Sequence, residues 1–301
     1  MTKILITGSS GFLGKHLINS MQNSQKIIGW SNNNQQTKLK NFEHTKIDLT
    51  SKNISIKSKI SSIIHLAAIS DVKYCNSNPS LCSDINILGT KKMLEICRKK
   101  DANFIFASTS HVYGQPKKNP ICEKEETKPN SIYAATKIAG ENLCESYSKT
   151  YGLNISILRF FSLYGPNSPK HNVIFNIINQ YKNNSIIKMG NLKPKRDFLF
   201  IDDAIRAINL INENQKGFEI FNIGSGKSFS IKTICNEVEK IMKKNKRVEI
   251  DKNKIRKKDI LEIRANNNKI KRTYGWKPKI SLNEGLKITI DDYIRNHKIL
   301  R

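Results

Sequence analysis

A tyrosine and a lysine four residues apart, Tyr133 and Lys137, have the side-chain types and the spacing for acid–base chemistry. They lie between Pro129 and Glu141, where alanines and an isoleucine favour a helix that would place both side chains on one face. A free tyrosine loses its proton near pH ~10, and an ammonium one turn away favours the phenolate and lowers that pKa. The pair is a candidate acid and base for a hydroxyl group, although Y-x-x-x-K is also common by chance in amphipathic helices.

A glycine-rich segment near the N-terminus predicts a binding site for a dinucleotide. The apolar run Lys3–Thr7 leads into Gly8, Gly11 and Gly14, and a helical pattern of apolar residues follows. A strand, a glycine turn and a helix in this order present backbone N–H groups and a helix N-terminus to a pyrophosphate. A plain strand-to-helix turn needs one glycine, so three at G-x-x-G-x-x-G spacing favour the dinucleotide.

The following strands bear on which dinucleotide is bound. After the second predicted strand, Lys26–Trp30, an NAD site usually carries an acid for the ribose 2′-hydroxyl, but here Ser31 and an asparagine follow. Both NAD and NADP therefore stay open. Asp48 ends the third predicted strand, Thr45 to Leu49, where it would meet the adenine. The fourth ends in alanines, Ala67 and Ala68, that let a backbone pass close to the cofactor.

The elements that must position these residues alternate between strand and helix. A helix is predicted over residues 83–99, and a fifth strand, 103–108, runs into the hydroxyl-rich turn Thr109, Ser110 and His111. Open α/β sheets place their ligands at such carboxyl ends of strands. From about Ser162 the alternation relaxes, which predicts a second, smaller lobe whose segments cross back to the first.

The net charge of +27 raises nucleic-acid binding as a hypothesis. The lysines, however, are spread through nearly every segment, and no basic stripe is interleaved with aromatic residues. Nucleic acid is therefore not an expected partner, whereas a general attraction for anionic small molecules is.

No apolar run approaches the ~20 residues of a membrane span, and the first residues lack a signal-peptide pattern. The six cysteines show no C-x-x-C spacing, so reduced thiols are expected and a zinc site is not. These features predict a cytoplasmic protein that does not enter the membrane.

Eight motifs, in order, resemble those of the extended short-chain dehydrogenase/reductase superfamily, in the NAD-dependent epimerase/dehydratase family, with UDP-glucose 4-epimerase-like enzymes as the nearest branch. They span nearly the whole chain: Thr7–Gly14, His65–Ala68, Asn86–Thr90, Ser108–Gly114, Tyr133 with Lys137, Arg159–Pro166, Arg196–Phe198 and Tyr274–Pro278. The resemblance implies an α/β fold, with a Rossmann-type doubly wound parallel sheet over residues 1–165 and a smaller C-terminal α/β substrate lobe over 166–301. Segments near 197–223 are expected to cross back.

The resemblance also implies which residues hold NAD or NADP in the first lobe. They come from the glycine loop, the strand ends and the catalytic helix: Gly8, Ser10, Gly11, Phe12, Leu13, Gly14, Asp48, Leu49, Leu66, Ala67, Ala68, Asn86, Ser108, Tyr133, Lys137 and Phe160.

By the same resemblance, the substrate is a nucleotide-diphosphate sugar. Tyr133 would take the proton of a sugar hydroxyl, Thr109 would hydrogen-bond that oxygen or Tyr133, and Lys137 would hold the nicotinamide ribose. The substrate-binding positions implied are Ser70, Thr109, Ser110, His111, Ser162, Asn172, Arg196 and Arg256, of which the arginines would grip the diphosphate. A homodimer built on helices near 83–99 and 133–150 is implied too.

Three functions stay open on the sequence. An epimerase would oxidise and re-reduce a sugar carbon, usually C4, through bound NAD; a 4-ketoreductase would use NADPH on a keto-deoxysugar. A non-catalytic nucleotide- or RNA-binding protein is a third hypothesis. A sugar 4,6-dehydratase is disfavoured, because Ser110 and His111 stand where that branch has a carboxylate. Ser162 replaces an asparagine common in epimerases.

Overall fold

The computed structural model describes residues 2–35, 39–255 and 260–296. The chain divides into two compact units. The first takes in the chain up to Gly114 together with Glu126–Phe160 and Ile205–Phe221. The second contains Gln115–Glu125, Phe161–Ala204 and the chain from Asn222 onwards.

The strands within the described residues run, in chain order, β1 Lys3–Thr7, β2 Ile27–Ser31, β3 Phe42–Lys46, β4 Ile60–His65, β5 Asn103–Thr109, β6 Ile155–Phe160, β7 Ser162–Tyr164, β8 Ile187–Met189, β9 Lys195–Arg196, β10 Phe198–Phe200, β11 Phe218–Ile223, β12 Phe229–Ser230, β13 Val248–Ile250 and β14 Glu262–Ile263. The helices are α1 Phe12–Met21, α2 Val72–Ser77, α3 Pro79–Ser83, α4 Gly89–Lys100, α5 Ile132–Tyr151, α6 Val173–Asn183, α7 Ile201–Asn214, α8 Ile231–Met242, α9 Asn268–Tyr274 and α10 Leu282–Asn296.

Seven strands form one sheet in the order β3-β2-β1-β4-β5-β6-β11. Neighbouring strands from β3 to β6 are parallel, with Ile4 opposite Ile27 and Phe104 opposite Ile155. Several of these strands are apolar on both faces, as expected when helices cover the two sides of a sheet. The prediction of a doubly wound parallel sheet is confirmed, and the carboxyl ends of β1, β4 and β5 meet at one edge.

The third strand begins three residues earlier than predicted. It covers Phe42–Lys46, while Ile47 and Leu49 follow it in a loop and pack into the core. Leu49 is 7% exposed although it lies outside the sheet. Apolar residues buried from a loop imitate a strand, which explains the shifted prediction.

A π-helical turn, Asp84–Leu88, precedes α4 and carries Asn86. The predicted helix over 83–99 is therefore continuous helical structure with a wider first turn. Such turns are frequent at functional sites.

The second unit contains three small sheets: β7 with β10, β9 between β12 and β14, and β8 with β13. At the start of α7, the fully buried Asp203 accepts the backbone N–H groups of Lys279 and Ile280 at 3.0 Å. The Trp276 indole donates to the Asp203 carbonyl at 3.1 Å. These bonds attach the segment before α10 to α7.

Serine side chains cap the N-termini of the long helices α8 and α10. The Ser230 hydroxyl accepts from Thr233 N at 3.0 Å at the start of α8, and Ser281 accepts from Glu284 N at 3.2 Å at the start of α10. Each serine hydroxyl thus satisfies an N–H group of the first helical turn. No helix in the described part of the chain is both long and apolar enough to cross a membrane.

His65, at the end of β4, is enclosed by the first unit. Its Nδ1 lies 2.6 Å from Thr7 Oγ1 and its Nε2 lies 3.1 Å from Thr90 Oγ1. The ring stacks on Phe106 at a centroid distance of 6.0 Å. Burial, with a smaller contribution from the Lys137 ammonium, lowers the pKa of His65 from 6.5 to about 3.

The buried His65 should make the protein labile to acid. The unfolded chain takes up this proton near pH 6.5 and the folded chain only near pH 3, so the unfolded state binds more protons between them. Stability should therefore fall as pH drops through this window, by roughly 5 kcal/mol over its full width. Urea unfolding between pH 7.5 and 4.5 measures the slope. The His65→Asn variant should be less stable than wild type at pH 7.5, but its free energy of unfolding should fall less steeply as the pH drops. If the slope were unchanged, a group other than His65 would cause the acid lability.

Candidate active site

The site is built where β5 ends beside the first turns of α5. The Thr109 hydroxyl accepts the His111 backbone N–H at 3.2 Å, and its interaction with the Tyr133 phenol favours the phenolate. Tyr133 is 8% exposed and stands in the first turn of the helix, whose cap is Ser131, accepting from Ala134 N at 3.2 Å. The structure thus brings together two of the three predicted catalytic side chains.

Lys137 follows Tyr133 by one helical turn and is 3% exposed. Its ammonium donates to the Ala107 carbonyl at 2.7 Å and lies 4.5 Å from the centre of the Phe106 ring. The helix therefore turns both side chains towards β5, as the spacing predicts. A single backbone acceptor and an aromatic face hold the ammonium in place.

The acidities differ from the simple expectation for such a pair. Burial raises the pKa of Tyr133 to about 12, and the hydrogen bond from Thr109 opposes this rise. Burial also lowers the pKa of Lys137 to about 8. The prediction that Lys137 lowers the tyrosine pKa is therefore wrong for the protein's own residues, because desolvation of the phenolate outweighs it. A positive charge from a bound oxidised nicotinamide would act in the needed direction.

The turn that follows β5 lies against Tyr133. The His111 ring meets the Tyr133 ring edge to face at 6.0 Å, and Ser110 is buried beside it in the chain. The 3-10 turn Ser110–Tyr113 ends at Gly114, whose φ of 55° favours glycine.

The glycine loop has the shape that a pyrophosphate needs. Gly8 has a φ of 70°, and a Cβ there would lie 2.8 Å from Ala67 N. A Cβ on Gly14 would lie 2.3 Å from the Gly8 carbonyl oxygen. Helix α1 begins after Gly11 without a side-chain cap, so its first N–H groups face outwards for a phosphate. The residues present therefore fit a dinucleotide.

Three predicted cofactor residues are engaged within the protein. Asn86 accepts from Ile69 N at 2.8 Å and donates to Ile69 O at 3.1 Å and to Thr136 Oγ1 at 3.0 Å. The exposed Asp48 accepts from the backbone and hydroxyl of Thr50, both at 2.8 Å, and these bonds lower its pKa. The Ser108 hydroxyl donates to Glu141. Their contacts to a cofactor stay predictions.

The other predicted positions of the first unit differ in exposure. Leu49 and Phe160 are buried, and Ser70 is exposed at the surface after β4. The rest lie in the glycine loop, at the start of α1 and after β4, and are buried or half-buried except the exposed Gly11: Gly8, Ser10, Gly11, Phe12, Leu13, Gly14, Leu66, Ala67 and Ala68.

The predicted substrate residues of the second unit have clear local roles. Asn172 caps α6, accepting from Ile174 N at 2.9 Å, and its amide donates to Leu163 O at 2.8 Å. Arg196 ends β9 and donates from Nη1 to two backbone carbonyls, at 2.9 and 2.8 Å. Ser162 begins β7, and Arg256 lies outside the described residues.

Two features of the first unit escape the sequence motifs. Glu141 and Arg159 form a buried ion pair, with 2.6 Å between Glu141 Oε2 and Arg159 Nη2. Cys75 and Cys82, expected as reduced thiols, form a disulfide because α2 and α3 bring their Cα atoms within 5.4 Å. The disulfide packs against Tyr133. For the ion pair, the sequence did carry a signal, since the i, i+4, i+8 spacing of Tyr133, Lys137 and Glu141 places Glu141 on the same helix face. For the disulfide, the C-x₆-C spacing gave no signal.

Comparisons with known proteins give matches over nearly the whole chain. The family model described as GDP-mannose 4,6 dehydratase matches residues 5–289. UDP-glucuronate 4-epimerase of Thermodesulfobacterium geofontis is 33% identical, over 99% of this chain and 98% of that protein.

Two solved structures are similar over the same length. UDP-glucuronic acid 4-epimerase of Bacillus cereus, a mutant in complex with UDP-4-deoxy-4-fluoro-glucuronic acid and NAD, superposes with a TM-score of 0.89 at 28% identity, covering 98% of this chain and 100% of that one. UDP-glucose 4-epimerase of Thermotoga maritima with UDP-glucose gives a TM-score of 0.88 at 26% identity, again over 98% and 100%.

Proposed function

Because the chain belongs to the NAD-dependent epimerase/dehydratase family of extended short-chain dehydrogenases/reductases, we propose that it inverts C4 of a UDP-hexose with the help of bound NAD. The observation that carries the proposal is the placement of Thr109 at the end of β5 and of Tyr133 and Lys137 one turn apart in α5, where the Lys137 ammonium donates to the Ala107 carbonyl of β5 at 2.7 Å. The UDP-sugar and NAD are those named for the similar Bacillus cereus enzyme, and UDP-glucose is named for the Thermotoga maritima enzyme.

Tyr133, Thr109 and Lys137 have different roles in the proposed reaction. As the phenolate, Tyr133 accepts the proton of the C4 hydroxyl and later returns it, and the Thr109 hydroxyl favours that phenolate. Lys137, buried one turn along α5, would hold the nicotinamide ribose of the bound cofactor. The buried setting excludes water from this proton transfer. Bound NAD supplies the hydride acceptor and donor.

The turn after β5 favours epimerisation over dehydration. Eliminating water from the sugar requires a further acid and base beside the tyrosine. Ser110 and His111 follow Thr109 here, and neither is a carboxylate. The name of the matching family model therefore describes the family and not this chain's reaction.

The end of β2 is the observation that supports a second candidate. Ser31 donates to Asn33 O at 2.8 Å, in the position where a carboxylate would hold a ribose 2′-hydroxyl. Ser31 carries no negative charge that would repel the 2′-phosphate of NADPH. An NADPH-dependent 4-ketoreductase is therefore the alternative. The NAD-containing relative at 28% identity supports the epimerase.

The substrate residues of the second unit remain part of the proposal. Arg196 has its guanidinium oriented by two backbone carbonyls, which suits bidentate binding of a diphosphate. Roles for Ser162, Asn172 and Arg256 in binding the nucleotide sugar are proposed on the resemblance alone. A homodimer and a cytoplasmic location likewise stay predictions.

One assay separates the candidates. The purified protein is given UDP-glucose or UDP-glucuronic acid without added cofactor, and the sugars are followed by NMR. We expect conversion to the C4 epimer, with NAD in the denatured extract by mass spectrometry. Stoichiometric loss of NADPH with a UDP-4-keto-deoxysugar would favour the reductase. Salt-sensitive RNA binding without any dinucleotide would favour the non-catalytic hypothesis.

A further inference from the structure

A buried ion pair joins helix α5 to strand β6 inside the first unit. Glu141 and Arg159 are 5% and 4% exposed, and Arg159 Nε lies 3.0 and 3.2 Å from the two Glu141 oxygens. Arg159 Nη1 donates to the Tyr113 phenol at 2.9 Å. Because each charge is desolvated and satisfied by fixed partners, the pair holds these elements in one geometry.

Glu141 also reaches strand β5. Its Oε1 accepts the hydroxyl of Ser108, which pairs directly with Arg159 across the sheet. One turn earlier in α5, the Lys137 ammonium donates to the Ala107 carbonyl at 2.7 Å. Successive turns of the helix are thus attached to successive residues of the strand.

The third contact between α5 and β5 involves two of the proposed catalytic residues. Thr109, the next residue of β5, acts on Tyr133, two turns before Glu141 in α5, because its hydroxyl favours the Tyr133 phenolate. Any slip of the strand end along the helix would therefore change the Thr109–Tyr133 contact. The carboxylate of Glu141 resists that slip because it is bound from β5 and β6 at once.

We propose that Glu141, held by Arg159, is a positioning residue that sets the end of β5 against α5 and so fixes Thr109, Tyr133 and Lys137 relative to one another. Its effect on turnover rests on the proposed function, whereas its effect on the Thr109–Tyr133 contact does not.

Glu141 also contributes charge to the surroundings of Lys137. The Cys144 thiol and the Glu141 carboxylate of its own helix act on this ammonium, which in turn lowers the pKa of His65 on β4. The Glu141 charge raises the pKa of Lys137 against the larger effect of burial. Without that charge, Lys137 should lose its proton at a lower pH.

The first experiment compares turnover in three variants. Glu141→Gln removes the charge, and Glu141→Gln/Arg159→Met removes both charges so that neither is left buried and unpaired. Glu145→Gln is the matched control, since this exposed residue one turn later pairs with Lys149 at 2.6 Å. We expect kcat to fall roughly 10- to 100-fold in the first two while KM changes less than about threefold. The upper limb of the kcat–pH profile should move to lower pH in both variants that lack the Glu141 charge and stay in place in Glu145→Gln.

The second experiment needs no substrate. Tyrosine labelled with ¹³C at Cζ gives one NMR signal for each of the nine tyrosines, and the signal absent from Tyr133→Phe is assigned to Tyr133. That signal should shift in both Glu141 variants and stay at its wild-type position in Glu145→Gln.

The two readouts separate the two ways of failing. If the wild type turns over no UDP-sugar, the proposed function is wrong, and the Tyr133 signal alone decides on the positioning role. If a folded double variant keeps the wild-type kcat and Tyr133 signal, the ion pair only stabilises the fold and the proposal is overturned.

Discussion

Replacing Tyr133 by phenylalanine should reduce epimerase turnover at least ~10³-fold while the protein keeps its bound dinucleotide. General acid–base catalysis contributes about 10²–10⁴-fold, and the Tyr133 phenolate is the proposed proton acceptor, in the helix beside the end of β5. Phenylalanine retains the ring that packs on Cys75 and Cys82, so the fold should survive. Turnover is measured by NMR of the UDP-sugars, and dinucleotide content by absorbance after denaturation.

Tyr147→Phe is the control for this variant. It removes the same hydroxyl from the same helix, where Tyr147 donates to Glu95 at 2.7 Å. Turnover should stay within about threefold of wild type, because a single half-buried hydrogen bond of this kind contributes little. Substantial turnover in Tyr133→Phe would remove Tyr133 from the mechanism.

Replacing Gly14 by alanine should abolish retention of the dinucleotide and destabilise the first unit. Alanine normally favours a helix over glycine by about 1 kcal/mol. In α1, however, the added Cβ would lie 2.3 Å from the Gly8 carbonyl and 2.9 Å from Ser9 Cα, both of them backbone atoms. The loop must shift away from the helix, at a cost of about 1–3 kcal/mol or more. Thermal unfolding and dinucleotide content report the two effects.

Gly89→Ala provides the comparison within a helix. A Cβ there would meet the flexible Leu49 side chain at 3.2 Å, which moves more easily than backbone. Its melting temperature should stay near the wild-type value. If Gly14→Ala purified with a full complement of dinucleotide, the close approach of α1 to β1 would have no bearing on binding.

The placement of the candidate catalytic residues was predictable because its signals are local. Tyr133 and Lys137 are one turn apart in a helix that alanines favour, and Thr109 ends an apolar strand, so short stretches suffice. The glycine loop is readable for the same reason. Each prediction depends on a spacing of a few residues and on no distant contact.

What the sequence concealed depends on packing between distant elements. Glu141 meets Arg159 from another strand, and Asn86 meets Thr136 from fifty residues away. The direction of the Tyr133 pKa depends on burial, which spacing cannot supply. The third strand was predicted too late in the chain because Leu49, which lies in the loop after it, is buried as a strand residue would be.

The bonds of Asp203 have a consequence for how the chain folds as it is made. The carboxylate is fully buried, yet its partners at Lys279 and Ile280 follow it by 76 and 77 residues. Until that late segment has been synthesised, the charge at the start of α7 lacks these donors, and burying it is costly. The second unit therefore completes its folding only when the C-terminal region arrives, and a shortened chain that stops before Lys279 should fail to assemble this unit.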